Sequence, residues 1–242
     1  MRVARVVTTL LLTAHGSADP RSAANARAVA ARVASLRPGL DVRLAFLDHS
    51  SPSLADALAG TDEAVVTPFL LANAYHARVD IPRQIAKCVG SERVRQAGVL
   101  GEDDRLVALL GRRVAELGVS RLDDEIGVLV VAIGTSDPVV NARTARVAPK
   151  LLARTGWAGA TTAFASHPQR SLAEGLGRLR RQGARRVVIA PWFLAPGLLP
   201  DRVRDFAWRA GIEMAAPLGS HRLVAETVLD RFDQATAARI AA

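Results

Sequence analysis

Two histidines carry the chemistry that this sequence supports most directly. His15 stands in Ala14-His15-Gly16-Ser17-Ala18-Asp19-Pro20, and His76 in Asn73-Ala74-Tyr75-His76-Ala77-Arg78-Val79-Asp80-Ile81-Pro82. The first segment recurs 118 residues later as Ala132-Ile133-Gly134-Thr135-Ser136-Asp137-Pro138. The Gly, Asp and Pro are kept, but the histidine has become Ile133. On the same repeat, His76 aligns with Leu199. Apolar replacements show that the backbone does not need an imidazole at either place, so the retained pair is better explained by chemistry than by folding. Imidazole binds Fe²⁺, Co²⁺, Ni²⁺ and Zn²⁺. In its neutral form it is also a competent base near pH 7. Two histidines leave most coordination positions open. Such a set is poor for a structural zinc, which four ligands usually close, and suits a metal in transit or one meeting a second ligand set.

Weaker candidates surround the pair. Asp48 ends a predicted strand, so its carboxylate could join the same metal site; capping a helix or facing solvent would explain it equally well. Asp80 precedes Ile81-Pro82 and is expected to cap the helix that follows. His49 and His167 hold equivalent repeat positions, which favours a structural task common to both copies. Gly16 is expected to serve the backbone at a strand-to-helix turn. The sequence contains no G-x-G-x-x-G, no G-x-x-x-x-G-K-[ST] and no G-x-S-x-G. Nucleotide binding and serine-hydrolase chemistry thus lack a specific motif.

The elements that must position these residues alternate in type. Short β-branched runs fall near 5–14, 42–47, 63–69 and 94–100, then 127–133, 160–165, 186–192 and 212–216. Amphipathic runs fall near 20–36, 52–60, 81–90 and 102–118, then 138–155, 170–182, 200–210 and 220–238. This alternation predicts parallel sheets flanked by helices. Asp19-Pro20 and Asp137-Pro138 each place an acidic N-cap before a proline at the first helical position, and Ser51-Pro52 is expected to do the same. His15 follows the first strand and His76 the third, so both emerge at carboxyl ends of strands, where open parallel sheets form their ligand sites.

The repeat is countable. Between 45–58 and 163–176, seven of fourteen positions are identical, including Ala45/Ala163, Phe46/Phe164, Ser53/Ser171 and Leu54/Leu172. Five residues are then inserted at about 177–186 in the second copy, and the match resumes at an offset of 123 with Val65/Val188 and Pro68/Pro191. Leu100-Gly101 matches Leu218-Gly219. The fold expected is therefore α/β, with two similar lobes of 1–120 and 121–242 and a cleft between them. Each lobe is a parallel sheet flanked by helices, and only the first carries the histidines.

Half of the 242 residues are hydrophobic, ample for packed cores. Cys88 is the only cysteine. It excludes an internal disulfide and suits a reducing cytosol. Arg2 and Arg5 precede the apolar run 6–12, which resembles a short signal peptide; since it flows straight into the repeated segment, a buried first strand is the better reading. No run approaches the roughly 18 apolar residues of a membrane span. The net charge of +9 is carried almost wholly by arginine, with Lys87 and Lys150 the only lysines. A codon bias toward Arg, an anionic small molecule or nucleic acid would each account for it. The arginines are scattered and aromatics make up only 4%, which disfavours a nucleic-acid platform. Arg forks match the carboxylates of a polyanionic small molecule.

Leu12-Thr13-Ala14-His15-Gly16-Ser17-Ala18-Asp19-Pro20-Arg21 resembles the opening strand and histidine loop of the sirohydrochlorin chelatase family, also called CbiX-like or SirB-like, within the class II chelatases. Phe69 to Pro82 resembles its second histidine motif. Ala45-Phe46-Leu47-Asp48 with Pro52-Ser53-Leu54 resembles its second strand and following helix, where the family often has Glu in place of Asp48. Ala74 departs from the glycine the family commonly has before its histidine pair. The resemblance covers the whole chain, as in two-lobed members whose second lobe has lost both histidines.

The resemblance implies a metal chelatase, a lyase of sirohaem or cobalamin biosynthesis. It would insert Fe²⁺ or Co²⁺ into sirohydrochlorin, a tetrapyrrole with eight carboxylates. His15 and His76 would be catalytic and metal-binding, with Asp48 a further metal ligand. A non-catalytic tetrapyrrole or metal carrier on the same fold is the alternative. The metal ion is a substrate, so no permanently bound cofactor is expected. Neither nucleic acid nor membrane is expected as a partner, and the duplication suggests a monomer. The repeat alignment alone, which sets Leu199 opposite His76, suggests that Trp192, Phe193, Leu198 and Leu199 of the second lobe supply an apolar wall for the macrocycle.

Overall fold

The structure is a computed structural model that describes residues 8–166 and 168–240. Eight strands form two separate four-stranded sheets, all parallel. The first contains β1 (Thr8–Ala14), β2 (Val42–Phe46), β3 (Glu63–Pro68) and β4 (Val94–Gln96) in the order β2-β1-β3-β4. The second contains β5 (Ile126–Ala132), β6 (Gly159–Phe164), β7 (Arg186–Pro191) and β8 (Glu213–Met214) in the order β6-β5-β7-β8. The two orders are the same order, as a duplication requires. Arg2, Arg5 and His167 lie outside the described residues.

The central strands explain themselves. β1 reads TTLLLTA and β5 reads IGVLVVA; nearly every residue in them is buried, as expected when helices cover both faces of a parallel sheet. In the first sheet, Leu11, Ala45, Ala64 and Val66 face α2 (Leu54–Leu58) and α3 (Ile81–Ile85) through Leu54, Leu58, Ile81 and Ile85. The other face is covered by α1 (Pro20–Leu36) and α9 (Arg222–Ile240), which pack on β2 and β3 and on each other. In the second sheet, Leu129, Val131 and Ile189 pack on α7 (Pro168–Arg181) and α8 (Leu198–Arg209). Its opposite face receives α4 (Asp104–Ala115), α5 (Pro138–Ala145) and α6 (Val147–Leu152).

The hydrogen bonds at the strand ends repeat at the offsets counted in the sequence. Leu47 N–H donates to Ala14 and Ala165 N–H to Ala132, at 3.0 and 2.7 Å. Phe69 donates to Thr13 and Trp192 to Val131, both at 2.8 Å. Leu100 donates to Leu70 and Leu218 to Phe193, both at 2.9 Å.

Several elements differ from expectation for identifiable reasons. The helix expected over 138–155 is two helices, α5 and α6. Pro149 has no N–H for the Ala145 carbonyl, which accepts instead from the Thr162 hydroxyl at 3.3 Å. Pro52 is not the first residue of α2. Ser53 caps that helix in a reciprocal box with Asp56, its Oγ accepting from Asp56 N–H while the Asp56 carboxylate accepts from Ser53 N–H. The helix expected over 81–90 ends at Ile85 and is preceded by a π-turn, His76–Asp80. The five inserted residues lengthen α7, which runs 14 residues where α2 runs 5.

The compact units do not coincide with the repeats 1–120 and 121–242. One unit comprises the described residues up to Gly101 and from Ser220 onward; the other is Glu102–Gly219. The helix that ends each repeat, α4 or α9, belongs to the unit built around the other repeat's sheet.

Candidate functional site

The first sheet places the site. The chain moves from β1 outward to β2, then returns past β1 to β3, so the connections diverge on either side of the β1–β3 pair. In open α/β sheets, ligands bind outside the carboxyl ends of strands at such a switch point. His15 follows β1 immediately, and His76 lies eight residues beyond the end of β3. The structure brings them together: the imidazole centroids are 4.2 Å apart and the rings meet edge to face at 81°. Both rings are half-buried. The Tyr75 ring, 57% exposed, stands 5.7 Å from His76.

The backbone of the His15 loop is tightly constrained. Asp48 N–H donates to the His15 carbonyl at 3.0 Å, tying the ends of β1 and β2 together. Gly16 has φ +89°, and a Cβ there would stand 1.7 Å from the Asp48 carbonyl oxygen. Only glycine fits this turn. Asp19 then caps α1 as expected. Its carboxylate accepts from Arg21 N–H at 3.0 Å and pairs with the Arg21 guanidinium. That side-chain bond, followed by the backbone bond, holds the Asp19 carboxyl below the usual value of 3.8. His15 Nδ1 lies 2.9 Å from the Gly16 carbonyl. A carbonyl only accepts, so Nδ1 carries the proton.

His76 is presented by the π-turn. Pro82 has no N–H to return to the Arg78 carbonyl, and its ring would clash with that carbonyl in a regular α-turn. The ladder opens by one residue, and Ile81 N–H reaches the His76 carbonyl instead. Such turns recur at functional sites. The Gln96 side-chain amide at the end of β4 donates to the Ala77 carbonyl at 2.7 Å, steadying the turn from below.

Asp80 does not cap α3, since its side chain makes no cap bond. It faces His76 instead, Oδ2 standing 3.2 Å from Nδ1. Arg83 and Gln84 donate to its other oxygen at 3.0 and 3.4 Å. Burial opposes ionisation of Asp80, but hydrogen bonds from His76, Arg83 and Gln84 outweigh it and lower the carboxyl below its ordinary value. Gln84 also donates to the Leu47 carbonyl at 3.4 Å, which links the His76 turn to the β2 end beside His15.

Asp48 is not brought into the pair as a third metal ligand. Its carboxylate turns outward, accepting from His49 N–H at 2.8 Å and standing 3.2 Å from the His49 ring. Among the described residues no three His, Cys, Asp or Glu side chains gather to hold a metal. His49 itself is exposed, with φ +57°, and serves the turn rather than a core. The aromatic part of the expected apolar wall is also corrected. Trp192 and Phe193 are 2% and 3% exposed, filling the core of the second unit. Leu198 is 61% exposed and Leu199 is partly buried. At the carboxyl edge of that second sheet, Ile133 is 52% exposed where the first sheet has His15.

Sequence reasoning missed three supports of the site. Asp80 was legible as a carboxylate four residues from His76, and Gln84 as a polar residue four further on, had the turn been read as helical. Gln96 carries no sequence signal, because its contact depends on β4 pairing with β3.

Two imidazoles in edge contact, with no hydrogen bond to either Nε2 among the described residues, can hold a metal weakly or accept a proton. They cannot close a coordination sphere. No described helix is long and apolar enough to cross a membrane.

The CbiX family model matches residues 9–117 and again 127–235. A protein named sirohydrochlorin ferrochelatase from Priestia megaterium is 30% identical over 209 residues, covering 81% of this chain and 76% of its own. A sirohydrochlorin cobaltochelatase of the same organism is 26% identical, covering 81% of this chain and 67% of its own. SirB from Bacillus subtilis, solved with Fe³⁺, superposes with a TM-score of 0.79 at 21% identity, over 94% of this chain and 95% of that one. At that identity the superposition speaks for the fold alone. The family model, matched once in each repeat, places this chain in the CbiX family.

Proposed function

We propose that this chain is a metal chelatase that inserts Fe²⁺ or Co²⁺ into sirohydrochlorin. The macrocycle loses two pyrrole N–H protons as the divalent ion enters, so charge and protons balance. The observation that carries the reading is the His15–His76 pair, 4.2 Å apart at the β1–β3 switch point. Its membership of a family whose relatives are named for both metals supports the substrate class.

The pair can meet both demands of the reaction, holding the ion and accepting a proton. A pair of neutral imidazoles with open Nε2 atoms takes a hydrated divalent ion without enclosing it, which lets the ion leave for the ring nitrogens. An imidazole freed of the metal accepts a pyrrole proton. The reaction has one site per chain, assigned to the repeat 1–120. The repeat 121–242 carries Ile133 and Leu199 in the corresponding places. A monomer suffices on this reading, and a dimer in light scattering would count against it.

The test follows the absorbance of metal-free sirohydrochlorin at matched Fe²⁺ or Co²⁺. His15→Ala and His76→Ala are each expected to slow insertion about 100-fold or more, with native circular dichroism retained. Insertion at the wild-type rate by the double variant would refute the assignment. Uptake of the macrocycle without catalysed insertion would instead identify a carrier.

A further inference from the structure

The contacts of Asp80 give it a task of its own. His15 and His76 both use Nδ1 for a hydrogen bond, but to unlike partners. His15 donates to a neutral backbone carbonyl one residue away, at 2.9 Å. His76 faces the carboxylate of Asp80, at 3.2 Å, and that carboxylate is only 13% exposed. The Asp80 oxygen not used by His76 is held by Arg83 and Gln84. Gln84 is fixed in turn on the Leu47 carbonyl, next to the residue whose N–H holds His15.

We propose that Asp80 is the positioning residue of His76, accepting its Nδ1–H, fixing that tautomer and holding Nε2 as the open donor atom beside His15. This rests on the reading of His76 as an acting residue. Metal-ligating histidines commonly give their second nitrogen to a carboxylate or carbonyl, and loss of that partner costs activity or affinity. Here each histidine has one such partner, and both leave the same nitrogen, Nε2, for chemistry. An imidazole without its partner is free to turn and to carry its proton on Nε2, which removes the donor lone pair.

The experiment uses the full chain labelled with ¹⁵N-histidine. Long-range ¹H–¹⁵N spectra, recorded where the rings are neutral, report the tautomer of each histidine directly. The wild type is expected to show His76 as the Nδ1–H form. Asp80→Ala should shift it toward the Nε2–H form, leave the His15 signals in place, and lower kcat for insertion about 10- to 100-fold with KM for sirohydrochlorin unchanged. Asp80→Asn keeps an oxygen that can accept Nδ1–H, so it should retain the tautomer and recover part of the rate. It also serves should the alanine variant fold poorly. An Nε2–H form in the wild type, or an unchanged tautomer and rate in a folded Asp80→Ala, would overturn the proposal while leaving His76 its role. Full activity of His76→Ala would overturn the underlying reading, whatever the tautomer.

Discussion

Replacing Gly16 by alanine tests whether the His15 loop is set by backbone packing. Two costs can be separated from the structure. The first is conformational: φ is +89°, where an L-residue pays about 1–2 kcal/mol. The second is steric, since the new Cβ would stand 1.7 Å from the Asp48 carbonyl oxygen. To reach even 3.0 Å, the β2 end must retreat by about 1.3 Å, and the obstacle is backbone rather than a flexible side chain. That retreat breaks the Asp48 N–H bond to the His15 carbonyl, worth about 1 kcal/mol. Together these come to about 2–3 kcal/mol. A displacement of about 1 Å at an acting group costs on the order of 100-fold in rate.

Two controls isolate the terms. Gly39 has φ +86° with nothing within 4 Å of its Cβ position, so Gly39→Ala should pay only the conformational part. Gly134, the repeat counterpart of Gly16, has φ +85° and would meet the Ser166 hydroxyl at 2.9 Å and Phe164 at 3.0 Å. Gly134→Ala should therefore cost somewhat more than Gly39→Ala and leave insertion intact. Urea unfolding by circular dichroism gives the stabilities. Trp157, Trp192 and Trp208 all lie in the unit Glu102–Gly219, so tryptophan fluorescence reports that unit separately. If Gly16→Ala matched Gly39→Ala in both stability and insertion rate, the close approach to Asp48 would not be what holds His15.

Asp19→Ala removes the cap of α1 and should lower stability, visible in urea unfolding by circular dichroism but little in tryptophan fluorescence. Asp19 and Asp80 both titrate below the unfolded carboxylate value in the fold, so the stability they confer is complete above that value. It is lost as pH falls through their folded values, below about pH 4; Asp19→Asn should flatten the acid limb of a stability–pH curve. Leu129→Ala, in the core of the second unit, should cost about 2–5 kcal/mol, with the loss seen in tryptophan fluorescence.

The sequence by itself determined the composition of the fold. β1 and β5 are buried on both faces, so their apolar runs declared them as strands. Asp19-Pro20 and Asp137-Pro138 are local signals that act through the adjacent N–H groups, and both cap as read. The repeat revealed that two histidines had no counterparts, which is the observation that singled them out. Tertiary structure decided what local patterns do not encode. The 4.2 Å contact of His15 with His76 depends on β3 pairing beside β1 across a long crossover. The outward turn of Asp48, whose carboxylate accepts from His49 N–H, and the burial of Trp192 just after β7 are tertiary outcomes of the same kind. Which helix completes which unit is likewise set by packing, because the apolar faces of α4 and α9 name no partner. Asp80 stands between the two: its spacing from His76 was on the page, but its orientation toward the imidazole awaited the π-turn that Pro82 imposes.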